Sequence, residues 1–444
     1  MALSDREYRK AFYQALNIQQ GRSMSEEDEY ERFYVPIYAS PNGPAGPDLV
    51  AEIINAIDFT TGGSVQLLSG YRGAGKTTEL MRLRRKLDPE RYVPVYWDVE
   101  DYFNTELPID EGTFLVGLAA GFVDNCEDAG LPQDKLRERL WDFLGRMNVN
   151  MEASAGPISA GWGQDGAIHT QVGVGPVALG LRATLRDDES FRAQVRKALE
   201  SNRAVFRKEI HQFFTDVVAD LPGERTPVFI VDSIDHYRGR ADTFDQVRES
   251  VESLFSVYAD ELALPGMHVV YTVPIHANPP GWRGQRWPVL NVKVRERDGS
   301  DCAEGIELLR EVLSRRAPER NLERLLGDQV DRVIRDSGGL FRDLFRLVAG
   351  LLLKEGALPV DVVEIESAEN RERSNLDVGL SEEHLEILVD VQRTKYLRVP
   401  RERSALAWEL QARGAMMCYR NGTVNWYGVH PLLEPLVADM NEQS

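Results

Sequence analysis

From Leu49 onward the hydrophobic positions become periodic. Val50, Ile53, Ile54 and Ile57 fall at helical spacing, VQLL at 65–68 reads as a short buried strand, and TTELMRLRRKL from Thr77 returns to helical spacing with a basic face. Further strands are predicted at 92–99 (YVPVYWDV), 227–232 (PVFIVD), 268–273 (HVVYTV) and 288–294 (PVLNVKV), with helices near 112–124 and from about Asp188 to Val218. Apolar runs of strand length separated by helices predict an α/β fold built on a parallel, doubly wound sheet.

Outside this region the pattern changes. Residues 1–34 are polar, with patchy helical spacing at Tyr8, Phe12 and Leu16, and lead into the Pro/Gly-rich SPNGPAGPD at 40–48. Between about 146 and 185 the chain is Gly-rich, nearly free of Lys and Arg, and alternating in its second half, which predicts a β-ribbon insertion. Helical spacing dominates from Cys302 to Leu353. The last segment carries two helical patterns, SEEHLEILVDVQRTKYL and SALAWELQARG, followed by MMCYRNGTVNWYGVHPLL, where Asn-Gly between two apolar runs signals a hairpin. Helices followed by a hairpin form a winged-helix signature. The expected organisation is a lead-in at 1–48, a core at 49–300 with an insertion at about 146–218, a helical lid at 301–375 and a winged-helix domain at 376–444.

Composition narrows the class. The 444 residues are 43% hydrophobic, enough for a large core, and 52 Lys and Arg against 71 Asp and Glu give a formal charge of −19. Such a balance favours solubility and confines any nucleic-acid contact to a local patch. Cys126, Cys302 and Cys418 are isolated, without the paired spacing of a zinc or redox site, and the seven histidines are scattered. With no uncharged apolar run near 18 residues and a charged start, the expectation is a cytoplasmic protein without a membrane span.

One stretch carries explicit chemistry. Gly70, Gly75, Lys76 and Thr77 in GYRGAGKTT satisfy G-x-x-x-x-G-K-[ST], placed after a strand and before a helix. The backbone of Gly70, Arg72, Gly73, Ala74 and Gly75 would cradle a β-phosphate, helped by the helix N-terminus that Lys76, Thr77 and Thr78 begin. Lys76 would reach the β- and γ-phosphates of ATP, and Thr77 would offer its hydroxyl to Mg²⁺. A second magnesium ligand is expected from Asp232, which follows four apolar residues in VFIVDSID as a Walker B aspartate does. Asp235 either orients the attacking water or caps the next helix.

With both motifs placed, the chain resembles the AAA+ and STAND divisions of P-loop NTPases, near the origin-recognition-like branch. The resemblance spans roughly residues 49–437 and implies a parallel ASCE-type sheet, a helical lid and a C-terminal winged helix. It assigns Thr272, at the end of HVVYT, as sensor 1, and Arg342, in SGGLFRDLFRLV, as a sensor 2 arginine reaching the γ-phosphate. Thr272 is otherwise a strand residue and Arg342 a surface arginine. His430 in VHPLL either touches nucleotide, as a histidine in this module does in some STAND proteins, or packs.

One departure bears on rate: Ser233 stands where the Walker B glutamate of AAA+ proteins belongs, which implies slow hydrolysis. No arginine finger is identified; Arg238, Arg240, Arg283 and Arg286 are loop candidates. The resemblance implies a slow ATPase switch that forms homo-oligomers or engages an effector protein, in bacteria often within anti-phage defence. The alternative is a DNA-binding loader using Arg393, Lys395, Arg398, Arg401 and Arg403 of the winged helix. A third reading is an ATP-binding scaffold without turnover.

Overall fold

The computed structural model describes residues 3–16, 27–38, 43–147, 176–237, 239–240, 243–277, 282 and 284–443. Helices α1 (Asp5–Leu16), α2 (Glu27–Phe33) and α3 (Leu49–Asp58) precede strand β1 (Val65–Gly70), helix α4 (Lys76–Lys86) and strand β2 (Tyr92–Asp98). Five helices follow, α5 (Glu111–Asn125), α6 (Gln133–Arg146), α7 (Pro176–Asp187), α8 (Glu189–Ser201) and α9 (Arg203–Ala219), then β3 (Thr226–Asp232), α10 (Phe244–Ser256), β4 (His268–Pro274) and β5 (Gln285–Val289). All five strands are parallel, in the order β2-β3-β4-β1-β5.

Alternation along the strands builds two cores. Leu68, Val228, Ile230 and Val270 face one cluster, shared with α3, α4 and the later helices, while Leu67, Phe229, Val231 and Val269 face the other, under α5 to α10. The second face owes its closeness to α5, which is apolar all round and buried over most of its length. Trp97 stacks on Phe229 with ring centroids 6.0 Å apart, and a Cβ at Gly121 would come within 2.4 Å of the Trp97 ring. Glycine at 121 is therefore what lets this helix lie on the sheet.

Two expectations are corrected. The alternating segment expected to be β-ribbon up to residue 185 is helical from Pro176: Leu181 and Leu185, four apart, are both buried, and proline suits the first helical turn. Residues 148–175, the rest of the expected ribbon, lie outside the described residues. The fifth strand runs over Gln285–Val289, not 288–294. Its alternating continuation is buried, but the backbone bonds leave the sheet: Asn291 N–H goes to Cys418 O (3.3 Å), Val292 N–H to Gly339 O (3.1 Å) and Lys293 N–H to Pro44 O (2.8 Å). Burial alone had produced the strand-like pattern.

Beyond the sheet come α11 (Ala303–Ser314), α12 (Glu323–Leu326), α13 (Val330–Asp336), α14 (Phe341–Leu352) and α15 (Val362–Asp377). The final segment contains α16 (Glu382–Thr394), α17 (Ser404–Arg413), the antiparallel hairpin β6 (Met416–Asn421) and β7 (Val424–Val429), and α18 (Glu434–Gln443). Gly422, at φ 57°, turns the hairpin at the Asn-Gly step. Arg9 of α1 donates to Leu351 O and Lys354 O, satisfying carbonyls at the C-terminal end of α14. Among the described residues no helix is long and apolar enough to cross a membrane.

Candidate functional site: the phosphate loop and what faces it

β1 delivers the chain to a loop whose glycine positions no larger residue can take without strain. A Cβ on Gly70 would meet Val289 O at 2.7 Å, and Gly73 and Gly75 hold φ of 82° and 94°, a region costly for other residues. Gly75 is the N-cap of α4 and provides no side-chain cap. The first N–H groups of the helix thus point toward the loop without a side-chain acceptor, the arrangement that suits an anion.

Lys76 is folded back into this loop. Its Nζ donates to Tyr71 O (2.7 Å) and Gly70 O (3.2 Å) and lies 2.8 Å from Asp235 Oδ2, with the two side chains only 4% and 3% exposed. Burial pushes the Asp235 carboxyl upward, but Lys76 and His236 outweigh it and hold the group below the usual carboxylate range. His236 sits 2.8 Å from Glu100, and although burial opposes its protonation, Glu100 and Asp235 raise it overall.

Beside this pair lies Asp232, whose charged form Thr77 favours. Asp232 accepts from Ser233 N–H (2.7 Å) and from the Tyr96 hydroxyl (2.9 Å). Burial, then the charge of Asp235, raises Asp232 despite these donors. Thr77 and Asp232 form an oxygen-only pair of the kind a hard cation such as Mg²⁺ takes, and both would hold it. Asp98, at the end of β2, is pushed up to about 6 by burial and by Asp232, while Glu100 N–H and the Ser233 hydroxyl work against the shift.

The expected sensors occupy distinct places. Thr272 is fully buried on β4, in register with Leu68 of β1, and its Oγ1 accepts from Ile234 N–H at 3.1 Å. It braces the turn that carries Asp235. Arg342 is beside the loop, its backbone N–H 3.3 Å from Gly73 O, but its guanidinium turns to Asp343 (2.8 Å) and to Arg413 O (3.4 Å). In this arrangement its charge bridges α14 to α17. Asp343 lies 3.5 Å from Nε2 of the fully buried His430. Burial opposes its charge, yet Arg342 and His430 hold Asp343 well below the usual range.

Arg72, half-buried, lines a small cleft with Gly70, Asp235, His276 and Gln411. Burial, reinforced by Arg248 and Arg286, pushes His276 down to about 4. Arg240 pairs with Glu106 (2.7 Å), Arg286 donates to Ser69 and Ile275 O, and Arg238 and Arg283 lie outside the described residues. In the basic run near α16, Arg393 pairs with Asp390 (2.7 Å) and Arg403 with Glu386 (2.7 Å).

Several residues here escaped the sequence reading. The Tyr38 hydroxyl bonds Ala74 O (3.3 Å) and Leu290 O (3.2 Å), bracing the loop from a segment without periodicity. Asp98 left a readable signal, an acid ending an apolar strand, as Asp232 does. Glu100 and His236 left none that separates them from surface charge.

No family model matches the chain, and no curated protein matches it. Among solved structures, a Walker-type ATPase of Pyrococcus abyssi aligns with a TM-score of 0.44 and 12% identity over 94% of this chain and 98% of that one. The Aeropyrum pernix ORC2 protein, in ADPNP-ADP complexes, aligns with a TM-score of 0.35 and 11% identity over 89% and 93%. A STAND protein with a tetratricopeptide repeat sensor from Pyrococcus horikoshii aligns with a TM-score of 0.29 and 12% identity over 91% of this chain and 44% of its own. All three TM-scores are below 0.5. The fold follows instead from the chain's own features: a five-stranded parallel sheet, a glycine loop closing β1 onto α4, and a strand-end aspartate two strands away, which together make this a P-loop NTPase fold.

Proposed function

We propose that the chain is an ATP-binding, slowly hydrolysing switch. Its core at 49–300 loads ATP with Mg²⁺, and a lid at 301–375 with a winged-helix module at 376–444 reads the loaded state. The observation that carries this is one continuous line of contacts. Gly73 of the phosphate loop touches Arg342, Arg342 reaches Asp343 and Arg413 O, and Asp343 reaches His430 at the base of the hairpin module. A ligand filling the loop changes the first link, so its binding energy can bias the position of the module.

On loading, Lys76 would exchange Asp235 for phosphate oxygens while the loop N–H groups take the β-phosphate. Bound Mg²⁺ would supply charge neutralisation of the phosphates. Ser233, in place of a glutamate, supports a slow rate. The output is self-association or capture of an effector protein in the cytoplasm, with bacterial anti-phage defence the setting that the resemblance implies. A DNA-loading role has less support, because Arg393 and Arg403 are already paired with acids of their own segment.

The test compares wild type, Lys76→Ala and Asp232→Ala for ATP affinity, ATPase rate and mass in solution, with and without ATP and Mg²⁺. Wild type should bind ATP, hydrolyse it slowly and change mass or partner affinity, and both variants should lose the response. A wild-type monomer indifferent to ATP ends the reading.

A further inference from the structure

We propose that Asp98, at the end of β2, is the carboxylate that polarises the attacking water, supplying from the neighbouring strand what Ser233 does not supply from β3. This rests on the hydrolysis reading above and names a residue for it.

Three observations converge. First, Asp98 and Asp232 are register partners across the parallel pair β2 and β3, so their side chains leave the same face, on strands roughly 4.8 Å apart. Tyr96, two residues before Asp98 and hence also on that face, confirms the direction by donating its hydroxyl to Asp232 at 2.9 Å. Second, Ser233 holds φ 68°, rare for a residue with a side chain, while only 3% exposed. In that conformation it lies beside Asp98 and favours its charged form. The position where an acid would be expected thus holds a neutral side chain next to an acid from the neighbouring strand. Third, Asp235, the other carboxylate beside the loop, has two partners, Lys76 at 2.8 Å and His236 at 3.8 Å, and keeps His236 when Lys76 turns to phosphate.

Asp98 also accepts from Glu100 N–H at 3.0 Å, capping the short turn that follows β2. A carboxylate has about four acceptor positions, so the cap leaves room for a water. In the step assigned to it, the water oxygen bonds to the γ-phosphorus as the bond from that phosphorus to the β–γ bridging oxygen breaks. ADP leaves with the electron pair, the proton shed by the water passes to Asp98 and then to solvent, and inorganic phosphate is the second product.

The experiment measures ATP affinity and single-turnover hydrolysis separately, on the full chain with Mg²⁺, for wild type, Lys76→Ala, Asp98→Asn, Asp98→Glu, Ser233→Ala and Glu100→Gln. Asp98→Asn should bind ATP as wild type does and hydrolyse it about 100-fold more slowly, the scale of a lost general base. Asp98→Glu should keep part of the rate, and Ser233→Ala, which removes the neighbour that favours the charged carboxylate but not the carboxylate itself, should slow turnover by about five-fold, the scale of one such interaction. Asp98→Asn turning over at the wild-type rate, losing ATP binding altogether, or being matched in its loss by Glu100→Gln would each overturn the assignment. Should Asp98→Asn fail to fold, wild-type rates in both Asp98→Glu and Ser233→Ala overturn it instead. In all these cases wild type still shows Lys76-dependent hydrolysis; if wild type shows none, it is the switch ATPase reading that falls, and this assignment with it.

Discussion

Lys76 and Asp235 form an ion pair of 2.8 Å sealed from solvent inside the phosphate loop. Such a pair contributes less than its Coulomb attraction suggests, because both ions have been desolvated, but removing one partner leaves the other charged and buried. The pair therefore ties the loop to the turn after β3, and on the proposed function it opens when phosphate binds.

Replacing Asp235 by Asn separates these roles. The nucleotide-free protein should lose about 3 kcal/mol, the scale of breaking a buried pair from one side. Added ATP and Mg²⁺ should then raise the melting temperature by more in Asp235→Asn than in wild type, because phosphate supplies the missing counter-charge. Differential scanning fluorimetry across an ATP titration reads both. An equal ATP-induced shift in the two proteins would show that Lys76 does not leave Asp235 on loading.

The same pair sets a pH limit. Asp235 is held below the ordinary carboxylate value of about 3.9, so its contribution is complete above that value in the unfolded chain and is lost as pH falls through the lower folded value. Asp343, depressed by Arg342 and His430 against its burial, adds to the same trend. Acid unfolding followed by circular dichroism should show wild type losing stability below about pH 4, and Asp235→Asn losing less over the same window. A parallel decline in the two proteins would remove Asp235 as a source of acid sensitivity.

The two loop glycines with positive φ should respond differently to substitution. A Cβ on Gly73 would come within 2.3 Å of Arg342 Cβ, whereas one on Gly75 would meet the Phe341 ring at 3.5 Å, ordinary contact. Both alanines carry backbone strain of about 1 kcal/mol or more. Only Gly73→Ala also pushes α14 off the loop. The expectation is a lower melting temperature and faster proteolysis around α14 for Gly73→Ala, with Gly75→Ala the milder change. Equal proteolysis in both would mean that α14 tolerates displacement at Arg342.

These features divide by how locally they are encoded. β1, β3 and β4 were legible as short apolar runs, and Asp232 as the acid ending one of them, because burial on both faces of a parallel sheet needs no partner to be recognised. The β5 boundary was not: Leu290 to Val294 is buried and alternates, yet Cys418, Gly339 and Pro44 take its backbone bonds. Arg342 was legible as an arginine near the phosphate loop, whereas its turn toward Asp343 depends on how α17 packs, seventy residues downstream. Tyr38 depends on tertiary approach alone.

Asp343 joins α14 to the segment after β7, with Arg342 on one side and the buried His430 on the other. Asp343→Ala strands the fully buried His430 imidazole and removes the charged partner of Arg342, at a cost of about 3 kcal/mol. If the module is held down by this carboxylate, the variant should also show earlier protease cleavage between α15 and α16 and, with ATP, a mass change at lower nucleotide concentration than wild type. Loss of stability without either change would confine Asp343 to packing.

Asp98 makes the opposite prediction about stability from Asp235 and Asp343. Its value is raised to about 6, by burial and by Asp232, so between about pH 4 and 6 the folded chain binds a proton that the unfolded chain has released. Stability from this group falls as pH rises through that window, and above it the penalty is complete, of order 1–3 kcal/mol. Asp98→Asn removes the ionisation. At pH 7 it should melt higher than wild type while near pH 4 the two converge, a profile obtained from melting temperatures at a series of pH values. A variant more stable and yet slower in hydrolysis is what a carboxylate kept charged for chemistry, at a cost to the fold, would leave behind. A pH-independent gap between the two proteins would instead place the effect in packing around Ser233.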